Sequence, residues 1–384
     1  MPPSVRTYAD RLFLDYDLYR LESFPLRRFP PEMFHSTVDM IMKTSPERLR
    51  VRTIGHSFEG RPLRLVSAGD GKISVLLWSQ MHGDESTATM AIADILNYFT
   101  KAQDSEITRL LFSQLSMHFL PILNPDGATR FQRRTAQHID MNRDAIALCT
   151  PEARILTQIQ RELLPEFGFN LHDQELSTVG TSKELSAIAL LAPAFDEKKS
   201  ENQVRTRAKQ VAAMFASIMH SRVSGNMTRY DDSFEPRAFG DSMQKWGTST
   251  LLVESGHTLG DPEKLFIRKL NFVGILASLY GIASGEYKTF DIMTYESLPG
   301  NSKKAYNLII RNVLIEHGGG PSSRADLGIS YQVDTHTEST PVLVDIGDLH
   351  TYIGLTEING NGKVLPSRLL TLGKPFEWKS YINP

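Results

Sequence analysis

From about residue 50 the chain alternates short apolar runs with longer amphipathic stretches. Leu63–Ser67, Ser74–Ser79, Met117–Leu123, Phe167–Leu171, Ile188–Leu191 and Thr248–Val253 read as strands. Several are unbroken apolar runs, the pattern of central strands covered on both faces. Between them Ser86–Phe99, Pro151–Leu164, Gln203–Arg222 and Pro262–Ala283 read as helices. Thr150-Pro151-Glu152 and Asp261-Pro262-Glu263 each offer a capping side chain, then Pro at the first helical position, then an acid in the first turn. This order predicts an α/β domain with a mixed, mostly parallel, twisted sheet between helices.

The flanks differ from this middle. Residues 1–45 look helical, with Pro25, Pro30 and Pro31 breaking the pattern, and read as an N-terminal helical extension. The main domain runs from 46 to 286. Beyond the loop signal Gly318-Gly319-Gly320-Pro321 come the β-type runs Gly328–Val333, Thr340–Ile346 and Tyr352–Thr356. Asn359-Gly360-Asn361-Gly362 suits a tight hairpin turn, because both residue types tolerate positive φ. Residues 290–384 are therefore expected to form a small β-rich C-terminal domain.

Composition narrows the function classes. Hydrophobic residues make up 41% and charged residues 22%, as in ordinary globular chains. The net charge of -2, with no basic block, offers no field for nucleic acid. The single cysteine, Cys149, excludes an intrachain disulfide framework and a cysteine-based zinc knuckle, and reads as a small semi-buried residue. The N-terminus lacks an apolar signal core, and no run of about 18 apolar residues is present. The expectation is a cytoplasmic chain with no membrane or nucleic-acid partner. No sequence feature sets an oligomeric state.

The chemistry concentrates at strand ends. His82 and Glu85 sit three residues apart in Met81-His82-Gly83-Asp84-Glu85, just after an apolar run. Asn124 and Asp126 follow a second predicted strand, His172 a third, and Glu254 ends a fourth. In open α/β sheets ligands bind beyond the carboxyl ends of the strands. Two histidines and one carboxylate around Zn²⁺, with a fourth position for water, make a hydrolytic zinc site. A single histidine is more often structural; the HxxE spacing with a strand-end histidine reverses that weighting. His56, His118, His138, His257, His336 and His350 have no matching spacing and read as structural or surface residues, with His257 notable for lying three residues after Glu254.

Over roughly residues 50–285 these motifs resemble the zinc carboxypeptidase family, the funnel-shaped metallopeptidases. The resemblance runs through Ile54-Gly55-His56-Ser57-Phe58-Glu59-Gly60-Arg61-Pro62-Leu63, His82-Gly83-Asp84-Glu85, Asn124-Pro125-Asp126-Gly127, Arg133-Arg134-Thr135, Asp140-Met141-Asn142-Arg143, Asn170-Leu171-His172-Asp173 and Leu252-Val253-Glu254-Ser255-Gly256. It implies that His82, Glu85 and His172 hold one Zn²⁺ and that Glu254 is the general base. It implies that Arg133 stabilises the oxyanion, and that Asn142 and Arg143 grip a free carboxylate of the substrate. Asp140 is a candidate to orient His82 through its other ring nitrogen. Two departures stand out. Better-known digestive members carry an arginine where this chain has Asp84. Their substrate-capping tyrosine has no secure match: Tyr230 is available, but aligning on Trp246 brings Arg237 nearer the position.

The leading expectation is a metallocarboxypeptidase that cleaves a C-terminal amide bond of a peptide or murein-type peptide. An N-acyl amino acid deacylase of the aspartoacylase and succinylglutamate desuccinylase group also fits the HxxE pair and the carboxylate grip. A catalytically silent binding module with the same fold is the third reading.

Overall fold

The computed structural model describes residues 3–44, 47–102, 105–333 and 339–382, so His336 lies outside the described residues. The chain divides into two compact units. The first is Met1–Gln174 with Ala187–Gly300, and the second is Glu175–Ser186 with Asn301–Pro384.

In chain order the strands are β1 (Leu49–His56), β2 (Pro62–Ala68), β3 (Ile73–Ser79), β4 (Leu115–Leu120), β5 (Phe167–Asp173), β6 (Thr178–Val179), β7 (Ile188–Leu191), β8 (Met227–Arg229), β9 (Ser249–Ser255), β10 (Asn301–Ser302), β11 (Ala305–Glu316), β12 (Ser323–Val333), β13 (Ser339–Gly347), β14 (Ile353–Asn359) and β15 (Val364–Pro366). The helices are α1 (Val5–Leu14), α2 (Tyr16–Tyr19), α3 (Pro31–Thr44), α4 (Thr87–Lys101), α5 (Glu106–Gln114), α6 (Pro125–Arg130), α7 (Pro151–Leu163), α8 (Gln203–Val223), α9 (Phe239–Lys245), α10 (Leu265–Ser284) and α11 (Met293–Glu296).

The first unit is built on an eight-stranded mixed sheet, ordered β1-β2-β4-β3-β5-β9-β7-β8. Its centre, β4-β3-β5-β9, is parallel throughout. Alternation of side chains along these strands sends residues to two different cores. Val75, Leu77, Phe167, Phe169, Leu171, Leu251 and Val253 join a cluster with residues of α1, α4, α8 and α10. Leu76 and Trp78 join a second cluster with Ala153, Leu156, Phe239 and Met243 from α7 and α9. His172 and Glu254 have the parity of this second face, and Asp173 and Ser255 the parity of the first.

Two helix starts were expected from Pro at the first position. At α7 the Thr150 side chain accepts from Ala153 N–H as expected. At α10 the helix begins later, at Leu265, because Lys264 takes φ 52. The Asp261 carboxylate still caps it from a distance, accepting from the N–H groups of Leu265, Phe266 and Ile267. This helix is long and apolar enough by length and mean hydropathy to cross a bilayer, although Arg268, Lys269 and Asn271 break any strictly apolar run. It is a core helix in this unit, with 83% of its most apolar window buried. Arg268 is buried there against Asp94 of α4. Cys149 is exposed rather than semi-buried.

In the second unit β13, β12 and β11 pair antiparallel in that order, and β14 and β15 both run parallel to β11. The expected hairpin at Asn359–Gly362 is therefore not formed. Asn361 and Gly362 do take positive φ, but the turn jogs one chain along β11 past the left-handed Asn312. Gly360 N–H bonds the Arg311 carbonyl and Gly362 N–H bonds the Asn312 carbonyl, so the loop reads the bulge in β11. The Glu175–Ser186 segment contributes β6, which pairs with β10 within this unit.

Candidate functional site

His82 and Glu85 stand on the loop between β3 and α4. Gln80 takes φ 53 and turns the chain out of the strand. The loop closes where Glu85 N–H donates to the His82 carbonyl at 3.1 Å. Gly83 is required there: a Cβ on it would lie 2.0 Å from the carbonyl carbon of Gly127, so this loop and the Asn124–Gly127 turn touch backbone to backbone. His172 is carried by β5, and its Cα partner in the register is Glu254 of β9.

These elements bring three side chains onto one point. His82 Nδ1 lies 2.7 Å from Glu85 Oε1, and His172 Nδ1 lies 2.7 Å from Glu85 Oε2. All three residues are buried, and their donor atoms lie within 4.8 Å of one another. Asp173 N–H also donates to Glu85 Oε2, at 3.2 Å. The second nitrogen of His82, Nε2, lies 3.1 Å from Asp140 Oδ1. Asp140 is itself fixed by the Asn142 N–H at 3.0 Å and by Arg133 Nη2 at 3.0 Å. Nε2 is thus the donor to Asp140, and Nδ1 is turned to Glu85. His172 Nε2 is buried without a hydrogen-bond partner.

Arg133 reaches the same cluster, with Nη1 3.3 Å from Glu85 Oε1 and 3.1 Å from His82 Nδ1. Nδ1 can donate to Glu85 or accept from Arg133, but not both. Burial disfavours a charged His82, yet the Glu85 carboxylate and Asp140 outweigh it and lift its pKa to about 9. At neutral pH the ring is therefore protonated, donates to Glu85, and leaves Arg133 to bond the carboxylates. For His172 burial wins, and its pKa is lowered. Burial pushes Glu85 up, but the two imidazoles outweigh it and hold it well below the ordinary range.

Glu254 is buried at 7% exposure, and its Oε2 has no hydrogen-bond partner. Burial first, and the Glu85 charge second, push its pKa up to about 8. Asn142 sits in a short turn whose Oδ1 accepts from Phe239 N–H at 3.0 Å, which ties it to α9. Arg143 donates to the Asn142 carbonyl at 2.7 Å, and its Nε lies 3.5 Å from Glu235. His82, Glu85, His172, Arg133 and Asp140 are thus joined in one hydrogen-bonded cluster, with His172 attached through Glu85. Glu254 joins them by register, while Arg143 is linked through Asn142 and stays 41% exposed. Arg237 pairs with Glu235 at 2.6 Å, and Tyr230 lies just past β8 with its N–H on the Leu190 carbonyl.

Sequence reasoning missed the groups beside this cluster. Asp173 Oδ2 accepts from Thr87 Oγ1 at 2.6 Å and from Lys264 Nζ at 3.2 Å. Lys264 is fully buried, and burial pulls its pKa down to about 8 against the opposing pull of Asp173. Arg27 lies 3.6 Å from Asp173 and 3.4 Å from the Asp84 carbonyl. The adjacency of Asp173 to His172 was the one available signal; nothing in the spacing connects residues 27 and 264 to it.

Residues 34–185 match the model of the zinc carboxypeptidase family. A carboxypeptidase of Arabidopsis thaliana, SOL1, is 28% identical over 102 residues, which is 25% of this chain and 21% of that protein. An uncharacterised protein of Zymomonas mobilis is 32% identical over 92 residues, 24% of each chain. These sequence matches therefore span about a quarter or less of the curated relatives' own length. The metallo-carboxypeptidase of Burkholderia cenocepacia superposes with a TM-score of 0.53 at 15% identity, covering 67% of this chain and 70% of that one. The last likeness is one of fold. The resemblance to zinc carboxypeptidases drawn from the motifs holds, in sequence over residues 34–185 and in fold over two thirds of the chain.

Proposed function

We propose that this relative of the zinc carboxypeptidases is a zinc-dependent metallocarboxypeptidase that cleaves a C-terminal amide bond of a peptide or murein-type peptide. The observation that carries the reading is the buried His82–Glu85–His172 cluster, with Glu254 register-paired to His172. The donor set fits zinc: two imidazole nitrogens and one carboxylate, with the Nδ1 of both rings already turned inward. Both Nδ1 atoms now face Glu85 as donors, so to hold the metal His82 would give up its Nδ1 proton, while the neutral His172 would shift its own to the unpartnered Nε2. When bound, zinc supplies Lewis acidity and a water of lowered pKa.

The chain's own groups would do the rest. Glu254 takes the proton of the attacking water and passes it to the leaving amine, which its unpartnered Oε2 leaves it able to do. Arg133, 45% exposed, swings its guanidinium from Glu85 toward the charge that develops on the carbonyl oxygen. Asn142 and Arg143 hold the free carboxylate of the leaving residue; Arg143 has a loose 3.5 Å partner to exchange. Asp140 keeps His82 in one tautomer.

Zinc-loaded protein tested against C-terminal peptide panels, murein peptides and N-acyl amino acids checks this reading. Release of C-terminal residues that stops on chelation supports it. Hydrolysis of N-acyl amino acids alone would replace it with the deacylase reading, and failure to bind zinc with the silent one.

A further inference from the structure

The N-terminal segment places a cation beside the site. Residues 21–27 are held by a set of buried and part-buried polar bonds. Arg268 donates to the carbonyls of Phe24 and Leu21, at 2.8 and 3.0 Å, and Leu21 N–H donates to Asp94 at 2.9 Å. Ser86, the residue after Glu85, donates its hydroxyl to the Arg27 carbonyl at 2.6 Å. Arg27 N–H donates to Glu263 at 2.8 Å. The backbone of Arg27 is therefore positioned from both α4 and the start of α10.

Its guanidinium is less committed. Nη2 makes a long bond to the Asp84 carbonyl at 3.4 Å and an ion pair with Asp173 at 3.6 Å. Nε is buried with no hydrogen-bond partner. The group stands 5.7 Å from the centre of the Phe131 ring, and the side chain is 24% exposed. Asp173 is shared, since Lys264 makes the shorter contact to the same oxygen at 3.2 Å. Two cations thus lean on one carboxylate. His257, whose pKa is held well below its ordinary value by burial and by Lys264 and Arg27, lies in the same field.

The position relative to the ligands gives this cation a direction. Asn142 and Arg143 are linked to the Asp140 side of His82. Arg27 touches the chain neighbours of the other two, Asp84 beside Glu85 and Asp173 beside His172. A substrate whose terminal carboxylate is held at Arg143 leaves its acyl portion for the Arg27 side. We propose that Arg27 forms an anion-binding subsite for the acyl portion of the substrate, selecting peptides with a carboxylate side chain upstream of the scissile bond. This rests on the peptidase reading for its direction. A planar guanidinium that is part exposed, holds its present Nη2 partners only at 3.4 and 3.6 Å, and has an aromatic face beside it suits a carboxylate better than a lysine would.

The test uses N-blocked peptide pairs differing only by Glu or Gln at one of the two positions before the C-terminal residue. With zinc-loaded full-length protein, kcat/KM should favour Glu by about tenfold at one position, the scale of a charge-assisted hydrogen bond. Arg27→Gln should bring that ratio to near one while zinc content stays stoichiometric. Arg27→Glu should favour Lys at the same position, and Arg27→Lys should keep part of the Glu preference. The same ratios are read as affinities by fluorescence anisotropy on zinc-loaded Glu254→Gln protein, with and without the Arg27 changes. No Glu preference in the unmutated chain, or an equal loss on both peptides in Arg27→Gln, overturns the subsite. Should Arg27→Gln fail to fold, the Glu-to-Gln ratio of the unmutated chain and of Arg27→Lys decides. If no peptide is cleaved but the Arg27-dependent binding preference is present, the peptidase reading falls and the subsite stands.

Discussion

His172 and Glu254 are Cα partners in the parallel register of β5 and β9, and both have the parity of the sheet face that carries the candidate ligands. A parallel ladder without a shift between these strands keeps the two side chains side by side. If Glu254 is the base and not a ligand, Glu254→Gln should retain stoichiometric zinc and lower kcat by about 10²–10⁴. Metal analysis and steady-state kinetics on the same preparation check both halves. A fully active variant would move the base elsewhere.

The bond from His82 Nε2 to Asp140 sets which ring nitrogen faces Glu85. Asp140→Asn should weaken zinc binding by about 10–100-fold, while His172→Ala should abolish stoichiometric binding. Competition against a chelator of known affinity measures this. Unchanged affinity in Asp140→Asn would mean that the loop alone orients His82.

Zinc-free protein should lose stability as pH rises through the neutral range. The Glu254 pKa is raised from 4.5 to about 8 in the folded chain. The folded state therefore holds a proton that the unfolded state has released. This group's contribution is complete below its unfolded value and is lost as pH climbs through the folded one. Glu254→Gln should flatten the fall in Tm between about pH 4.5 and 8. Zinc loading adds positive charge that favours the ionised carboxylate and should also shrink the slope. Thermal melts of both proteins across this range, with and without chelator, provide the measurement; an unchanged slope in Glu254→Gln would assign it to other groups.

Arg268 and Asp94 form a buried two-point pair, at 2.8 Å through Nε and 2.6 Å through Nη2, and the same guanidinium holds two carbonyls of the N-terminal segment. Asp94→Ala leaves that charge without its partner. It should cost about 3–5 kcal/mol in urea denaturation of the zinc-free chain. A loss under about 1 kcal/mol would mean that solvent reaches the site and screens it.

How much was legible follows from the range of each interaction. The α7 start was readable because Thr150 and Pro151 act on N–H groups within one turn. The same signal misplaced the start of α10, since Lys264 turns left-handed to reach Asp173, a contact set by another strand. Of the two Asn-Gly pairs only Asn361-Gly362 takes positive φ, and whether such a turn makes a hairpin depends on which neighbour its strands pair with, and both chose β11.

The sequence by itself determined the strand-and-helix alternation, the apolar centre of the sheet, and the residue types at the strand ends. These depend on local periodicity and on chemistry each residue carries wherever it lies. Tertiary structure alone decided that His82, Glu85 and His172 converge, that Glu254 stands opposite His172, and that Arg133 and Asp140 close on the same cluster. It also placed Arg27, from a proline-broken segment, beside residues 84 and 173. Register, strand parity and the burial of charges are properties of segments brought together, and no spacing along one chain records them.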